Sequence, residues 1–307
     1  MNQFFLPFLI PASKHKINHS HALTFIGSCF SDEIGSEAKL SGFDALVNPF
    51  GTIFNPVSLA QQVLNAINIS NEITVLERDT KFYSWEASTK IVGSSHVEIT
   101  DLILRKRQQL RHQLSKSGFL IVTFGTAFVY KLESTVVVAN CHKKPGNLFQ
   151  KELATHAEIV SLWRSVLNVL QEFNPNLKIL FTVSPVRHTR DGVIENTRSK
   201  ARLIEVVSEL ITERNADYFP SYEIVLDELR DYRFFKQDRV HPNEEAIEYV
   251  WKRFSEVYFT DETKSTINQI RQIRKRFSHQ TETELKFDEN TDRLLNGFKQ
   301  NYPWILW

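Results

Sequence analysis

The sequence predicts an α/β protein, a three-layer α/β/α arrangement in which helices cover both faces of a mostly parallel sheet. Short apolar runs of strand length, such as 119–124 and 177–183, alternate with longer amphipathic segments of helical period. Polar loops follow several of these runs, where parallel strands end at one edge of a sheet. We therefore predict a single domain over 1–307, in which 260–307 is a helical C-terminal extension.

The predicted elements alternate along the chain, and residues that favour helix ends bound several of them. Gly42 and Gly118 follow two helices, and Asn55 and Asn243 are placed to cap two others. Segment 71–100 is irregular and aromatic, and we interpret it as an inserted β-ribbon. The predicted strands are 23–26, 43–47, 119–124, 135–139 and 177–183, and the predicted helices are 32–41, 56–69, 101–117, 151–173, 196–214, 223–231 and 244–258.

Composition limits the classes of partner. The chain has 307 residues, and 42% of them are hydrophobic, which is enough for a sizeable core. Its 37 basic and 36 acidic residues give a formal net charge of +1, so no overall field attracts nucleic acid or an anionic membrane. We expect a small-molecule substrate and no membrane span, because no stretch approaches the roughly 20 apolar residues that a span needs.

The cysteines and the C-terminal residues give two further expectations. Cys29 and Cys141 are too few for the disulfide framework of a secreted protein, so we expect free thiols in a cytoplasmic protein. Segment 301–307 is rich in apolar side chains, whose exposure to water is unfavourable. We expect it to dock on its own domain or on a second subunit, which makes a homo-oligomer through 260–307 one hypothesis.

A candidate nucleophile follows the first predicted strand. Ser28 stands after the apolar run 23–26 and a glycine, just before a helix whose N-terminus would stabilise negative charge. Far downstream, Asp238 and His241 are three residues apart, so the carboxylate can orient the imidazole while the other ring nitrogen faces a serine. These residues predict a Ser-His-Asp triad. Cys29 is the alternative nucleophile, since a thiolate beside a helix N-terminus and a histidine is reactive.

Several short motifs resemble one bacterial family. The early glycine-serine step and the late D-x-x-H-P are similar to the SGNH (GDSL-type) hydrolase superfamily, and the fuller pattern resembles the GSCFA family. The matching segments are Ile26-Gly27-Ser28-Cys29-Phe30-Ser31, Asn48-Pro49-Phe50-Gly51, Asn55-Pro56, Gly125-Thr126-Ala127, Asn140-Cys141-His142-Lys143 and Thr182-Val183-Ser184-Pro185-Val186-Arg187-His188 with 196–200. The resemblance implies the three-layer fold and a serine hydrolase triad. No second Cys or His lies at metal-ligand spacing from Cys141 and His142, so we expect no metal, and we expect no cofactor.

The leading interpretation is a serine hydrolase that cleaves an ester, such as an acetyl group on a carbohydrate or lipid. In that interpretation the oxyanion is held by the N–H groups of Ser28 and Gly51 together with Thr126, which replaces the asparagine that SGNH enzymes commonly present. An O-acyltransferase with the same triad and a non-catalytic binding protein are the alternatives. The threonine at 126 and the apolar C-terminus favour the binding protein.

Five further residues are candidates for substrate binding. Asn48 lies in the loop before Gly51, and Asn140 and His142 lie in a loop that an ordinary turn would equally explain. Arg187 and His188 follow the strand 177–183 and could bind a carboxylate or phosphate, with a surface salt bridge as the alternative. The basic residues of the next helix, Arg198, Lys200 and Arg202, are interpreted as a solvated face.

Overall fold

The computed structural model describes residues 6–212, 216–278 and 289–305. The strands are β1 Ala22–Gly27, β2 Ala45–Val47, β3 Val75–Arg78, β4 Lys81–Ser84, β5 Ser117–Phe124, β6 Phe128–Leu132, β7 Val136–Val138, β8 Phe149–Leu153, β9 Lys178–Val183 and β10 Ala216–Tyr218. The helices are α1 Cys29–Leu40, α2 Pro56–Asn68, α3 His96–Lys116, α4 His156–Phe173, α5 Val193–Leu210, α6 Ser221–Glu223, α7 Glu244–Tyr258, α8 Asp261–Ser278 and α9 Glu289–Asn301.

The central sheet confirms the predicted fold class. Its five strands are in the order β10-β9-β5-β1-β2, and every neighbouring pair is parallel. Side chains of β5 alternate between two buried clusters: Leu120 and Val122 pack with α2, α4 and α5, whereas Phe119 and Ile121 pack with α1 and α7. Helices therefore cover both faces, and the carboxyl ends of β1, β5 and β9 lie side by side at one edge.

Two smaller sheets lie outside the central one. The β3–β4 hairpin falls within 71–100 and confirms the predicted β-ribbon there. Strands β7, β6 and β8 form an antiparallel sheet. Residues 151–153 belong to β8, so the prediction that a helix begins at residue 151 is wrong. That helix, α4, begins after Thr155, whose side chain and Glu158 cap it reciprocally, while residues 149–153 pair with β6.

The C-terminal segment packs on the domain from which it extends. Ile270 of α8 and Leu295 and Phe298 of α9 form an apolar cluster with Ile305. The Trp304 Nε1–H donates to the Gly42 carbonyl at 3.0 Å, next to the end of α1. Residues 279–288, 306 and 307 of the predicted extension lie outside the described residues. Within the residues described, no helix is both long and apolar enough to cross a membrane.

Candidate active site

The turn after β1 brings the start of α1 to the carboxyl edge of the sheet. Gly27 has φ +139, and a Cβ there would lie 2.2 Å from the Thr123 carbonyl oxygen of β5, so only glycine fits. Ser28 follows as the N-cap of α1: its Oγ accepts from the Phe30 N–H at 3.3 Å, and its own N–H donates to Thr123 O at 3.2 Å. The residue is fully buried, and its side-chain contact is that of a helix N-cap.

Asn48 supports this turn through hydrogen bonds of its side chain. Its Oδ1 accepts from the Gly27 N–H at 2.8 Å, and its Nδ2 donates to Asp32 Oδ1 at 2.7 Å. The other oxygen of Asp32 accepts from the Thr52 hydroxyl at 2.9 Å. Asn48, which the sequence predicts as a substrate contact, joins the strand end to the first turn of α1.

Cys29 differs from Ser28 in its contacts. It is the first residue of α1 and is partly exposed as a free thiol. Its N–H has no backbone acceptor among the described residues, as the first N–H groups of a helix lack intrahelical partners. Burial, reinforced by the nearby Asp32 carboxylate, raises the pKa of the thiol to about 11. The thiol is therefore protonated at neutral pH and needs a base to become a nucleophile.

Asp238 and His241 form the hydrogen-bonded pair that the sequence predicts. Asp238 Oδ2 lies 2.7 Å from His241 Nδ1, while Asp238 Oδ1 accepts from the N–H groups of Val240 at 2.9 Å and of His241 at 3.0 Å. Those backbone bonds, followed by the His241 ring, hold the pKa of Asp238 well below its usual range. The carboxylate stays ionised, and His241 Nε2 is left without a hydrogen-bond partner in the described part of the chain.

Arg187 holds the loop that carries His241. Its N–H donates to Val240 O at 3.3 Å and its Nη1 to Arg239 O at 3.1 Å. Its guanidinium also lies 4.4 Å from the ring centroid of Phe235, in the same loop. No salt bridge to Arg187 occurs within the described residues, so the alternative of a surface ion pair does not apply.

The His241 loop contacts α1 near its N-terminus. Lys236, whose N–H donates to His241 O at 2.7 Å, places its Nζ 3.3 Å from Glu33 Oε1. Residues four apart share a helix face, so Cys29 lies on the face of α1 that meets this loop through Glu33. Ser28 Oγ is directed to the helix N–H groups, and no hydrogen bond joins it to His241 in the described structure.

The two backbone N–H groups predicted to hold the oxyanion are already bonded within the fold. The Ser28 N–H donates to Thr123 O as described above, and the Gly51 N–H donates to Asn48 O at 2.8 Å. The Thr126 hydroxyl lies 3.0 Å from Ser199 Oγ and accepts from the Phe128 N–H at 3.1 Å. By contrast, the Cys29 N–H has no backbone acceptor in the part of the chain that the structure describes.

A cavity of about 670 Å³ opens beside His241 and brings several predicted residues together. Thr126, Asn140, Arg187 and His188 line it. Burial, aided by the nearby Lys200, lowers the pKa of His188 to about 4, so that ring is neutral at pH 7. His142 does not line the cavity: it is fully buried, and its Nε2 lies 2.8 Å from Ser84 O.

Lys200 is a buried cation that sequence reasoning placed on a solvated face, and that interpretation is wrong. Its Nζ donates to Gly125 O and Ser184 O, both at 2.6 Å, and so joins the ends of β5 and β9. The residue is 1% exposed, and burial lowers the pKa of its ammonium to about 7. Its charge lowers the pKa of the Cys29 thiol, but the larger effect of burial keeps that pKa raised.

This burial predicts a pH-dependent stability. The folded pKa of Lys200 is about 7 and the unfolded value is about 10.4, so between them the unfolded chain binds more protons and the free energy of unfolding rises with pH. From about pH 7 to about pH 9, the wild type should gain roughly 2 kcal/mol relative to Lys200→Met. Urea unfolding measures the difference, with Lys39→Met as the exposed control. Equal pH slopes in wild type and Lys200→Met would contradict the assignment.

The family of the chain follows from its sequence profile. The model of the GSCFA family matches residues 22–254, which is more than half of the chain. The chain belongs to the GSCFA family. The match includes all three residues of the predicted triad, Ser28, Asp238 and His241. No curated protein matches the sequence.

Solved structures similar to this GSCFA-family chain include three carbohydrate esterases. A carbohydrate esterase family 2 enzyme with a carbohydrate-binding domain from Corynascus thermopiles (Myceliophthora fergusii) matches at 11% identity and TM-score 0.41, covering 86% of this chain and 69% of that one. The acetyl xylan esterase Est2A from the rumen bacterium Butyrivibrio proteoclasticus matches at 12% identity and TM-score 0.37. The match covers 78% of this chain and 63% of that one. A family two carbohydrate esterase from Clostridium thermocellum, in complex with cellohexaose, matches at 13% identity and TM-score 0.32. The match covers 82% of this chain and 65% of that one.

Proposed function

We propose that this protein hydrolyses carboxylic esters through an acyl-enzyme intermediate, with acetyl or another short acyl group as the group transferred. The observation that carries the proposal is the Asp238–His241 pair: the distance from His241 Nδ1 to Asp238 Oδ2 is 2.7 Å, His241 lines a cavity, and its Nε2 has no hydrogen-bond partner within the described structure. A carboxylate bonded to Nδ1 fixes the tautomer in which Nε2 accepts a proton, as general-base catalysis requires.

The nucleophile lies at the Ser28-Cys29 step, and the contacts of the two residues favour Cys29. Ser28 was the candidate from sequence, but its Oγ caps α1 and it is fully buried. Cys29 is partly exposed, on the helix face that meets the His241 loop through Glu33. A thiol at this position has the unpaired N–H of its own residue available to the oxyanion.

In the proposed mechanism, His241 Nε2 accepts the Cys29 thiol proton as Sγ attacks the ester carbonyl carbon. The carbonyl oxygen becomes an oxyanion, to which the Cys29 N–H donates. The oxyanion collapses, the C–O bond to the alcohol breaks, and the imidazolium returns the proton to the leaving oxygen. A water molecule, deprotonated by His241, then attacks the thioester and releases the acid and the thiol.

The exposure of the dyad favours water over another alcohol as the acceptor. The side chains of His241 and Asp238 are 41% and 47% exposed. Transfer to a second alcohol requires exclusion of water from the acyl-enzyme, and an open dyad does not provide it. The same exposure and the unpaired Nε2 favour turnover over a purely binding function.

Asp238→Asn tests the proposed function. Asparagine keeps an oxygen for the N–H groups of Val240 and His241 but places an N–H against Nδ1, so it favours the wrong tautomer of the ring. With p-nitrophenyl esters from acetate to octanoate, we expect wild-type turnover and a loss in kcat on the order of 10²- to 10⁴-fold in the variant. Asp79→Asn, at a side chain that is 82% exposed in a turn, is the matched control and should match wild type. A wild-type protein that hydrolyses no ester in the panel would contradict the proposal and favour the binding protein.

A further inference from the structure

The cavity beside His241 carries a local excess of positive charge. Four basic side chains line it against one acidic side chain; they are Lys143, Lys144, Arg187 and Arg190, and the acid is Asp191. Asp191 is ion-paired with Lys151, so its charge is already balanced. Because the whole chain has a formal net charge of only +1, this enrichment belongs to the cavity and not to the protein surface in general.

The cations come from two separate loops that meet at the cavity. Lys143 and Lys144 lie in the turn after β7, and Arg190 lies between β9 and α5. Arg190 is close enough to Cys141, in the first loop, to act electrostatically on its thiol. Neither Lys143 nor Arg190 has an ion-pair partner among the residues that the structure describes.

The turn that carries the two lysines is rigidly held. His142, just before Lys143, is fully buried, with its Nε2 2.8 Å from Ser84 O and its carbonyl accepting from Arg78 Nη1 at 2.7 Å. The Lys144 N–H closes the turn on Cys141 O at 2.9 Å. A fixed backbone lowers the entropy cost of using these charges to bind a ligand.

Aromatic side chains form another part of the cavity wall. Phe128 and Tyr130 are two residues apart on β6 and so share a face, and Phe149 of β8 meets the Tyr130 ring at a centroid distance of 6.4 Å. All three line the cavity, whose volume of about 670 Å³ is within the usual range for small-molecule sites. Such a wall suits a planar or ring-shaped body.

We propose that the substrate is an anionic ester: an O-acylated compound whose alcohol portion has a ring-shaped body and carries a carboxylate or a phosphate. The proposal rests on the esterase function above and names its substrate class. The acyl group lies at His241, the ring against Tyr130 and Phe149, and the anion at Lys143 and Arg190, where ammonium and guanidinium donate to its oxygens.

Three aryl acetates of one shape test the charge preference: 4-acetoxybenzoate, its neutral isostere 4-acetoxybenzamide, and 4-acetoxyphenyl phosphate. After correction for their uncatalysed rates, we expect kcat/KM at least about 10-fold higher for an anionic ester than for the amide. The ratio should narrow to about 2-fold or less in Lys143→Ala/Arg190→Ala, and it should also fall between about 0.05 M and about 0.5 M salt. Lys39→Ala, an exposed lysine of α1 remote from the cavity, should keep the wild-type ratio.

The outcomes separate this inference from the proposed function. Equal kcat/KM for the amide and both anions would overturn the charge preference while leaving the esterase function intact. If none of the acetates is hydrolysed, the esterase function fails. Calorimetry with 4-hydroxybenzoate and 4-hydroxybenzamide then tests the charge preference by itself, and equal affinities for the two compounds would overturn it. A preference for one anion over the other identifies which of carboxylate and phosphate the cations select.

Discussion

Cys29→Ala is expected to abolish ester hydrolysis, with a loss in kcat on the order of 10⁴- to 10⁶-fold, because nucleophile and base act as a unit. Ser28→Ala is expected to keep most of the turnover and to lose about 1 kcal/mol of stability, the usual cost of a lost N-cap. The reason is the difference in contacts: Ser28 Oγ accepts the Phe30 N–H, whereas Cys29 is partly exposed with an unpaired N–H. Turnover of p-nitrophenyl acetate and thermal unfolding of both variants are the measurements.

A second measurement locates the intermediate directly. Peptide mapping by mass spectrometry after an acid quench should find the acetyl group on Cys29 in the wild type. Ser28→Gly is the companion variant, since glycine removes the hydroxyl at little cost to an N-cap and adds no atoms to a buried position. If Ser28→Gly and Ser28→Ala are both folded and inactive while Cys29→Ala is active, the nucleophile is Ser28, as the sequence first indicated.

The sheet was predictable because its strands carry their own pattern. The runs 119–124 and 177–183 are apolar on both faces, as buried parallel strands are, and they became β5 and β9. Residues 149–153 lack this pattern, since β8 is a half-exposed antiparallel strand whose partner, β6, lies some twenty residues earlier. Pairing between segments that are separated in the chain cannot be read from either segment alone.

The candidate site was predictable in its motifs and not in its contacts. Asp238 and His241 are close in sequence, so a local turn was enough to bring them together. The role of Ser28 depends on where α1 begins, and the prediction began that helix at residue 32, three residues late. Serine is one of the preferred N-cap residues. A helix that begins directly after Ser28 makes Ser28 its N-cap and Cys29 its first residue, and this feature of the sequence points to Cys29.

Buried polar residues were the least predictable part. Lys200 lies in a segment with alternating charges that resembles a solvated helix face, yet it is 1% exposed and joins two strand ends. His142 and Asn140 are neighbours in one motif, but only Asn140 lines the cavity, because His142 has a positive φ and turns its ring towards Ser84. Their positions are set by carbonyl groups of distant strands, which the local sequence does not specify.

His241→Ala should lower kcat on the order of 10⁴- to 10⁶-fold, since the Cys29 thiol, with a pKa of about 11, would then lack its base. The His241 side chain is 41% exposed, so its removal leaves a space that solvent reaches and that a free imidazole can enter. Added imidazole should therefore restore part of the turnover, with saturation at high concentration. The matched control is His96→Ala, at the exposed start of α3, which should retain wild-type activity and show no imidazole effect. Full activity of folded His241→Ala would remove this residue from the mechanism, because no other histidine makes the Nδ1–carboxylate bond within the described structure.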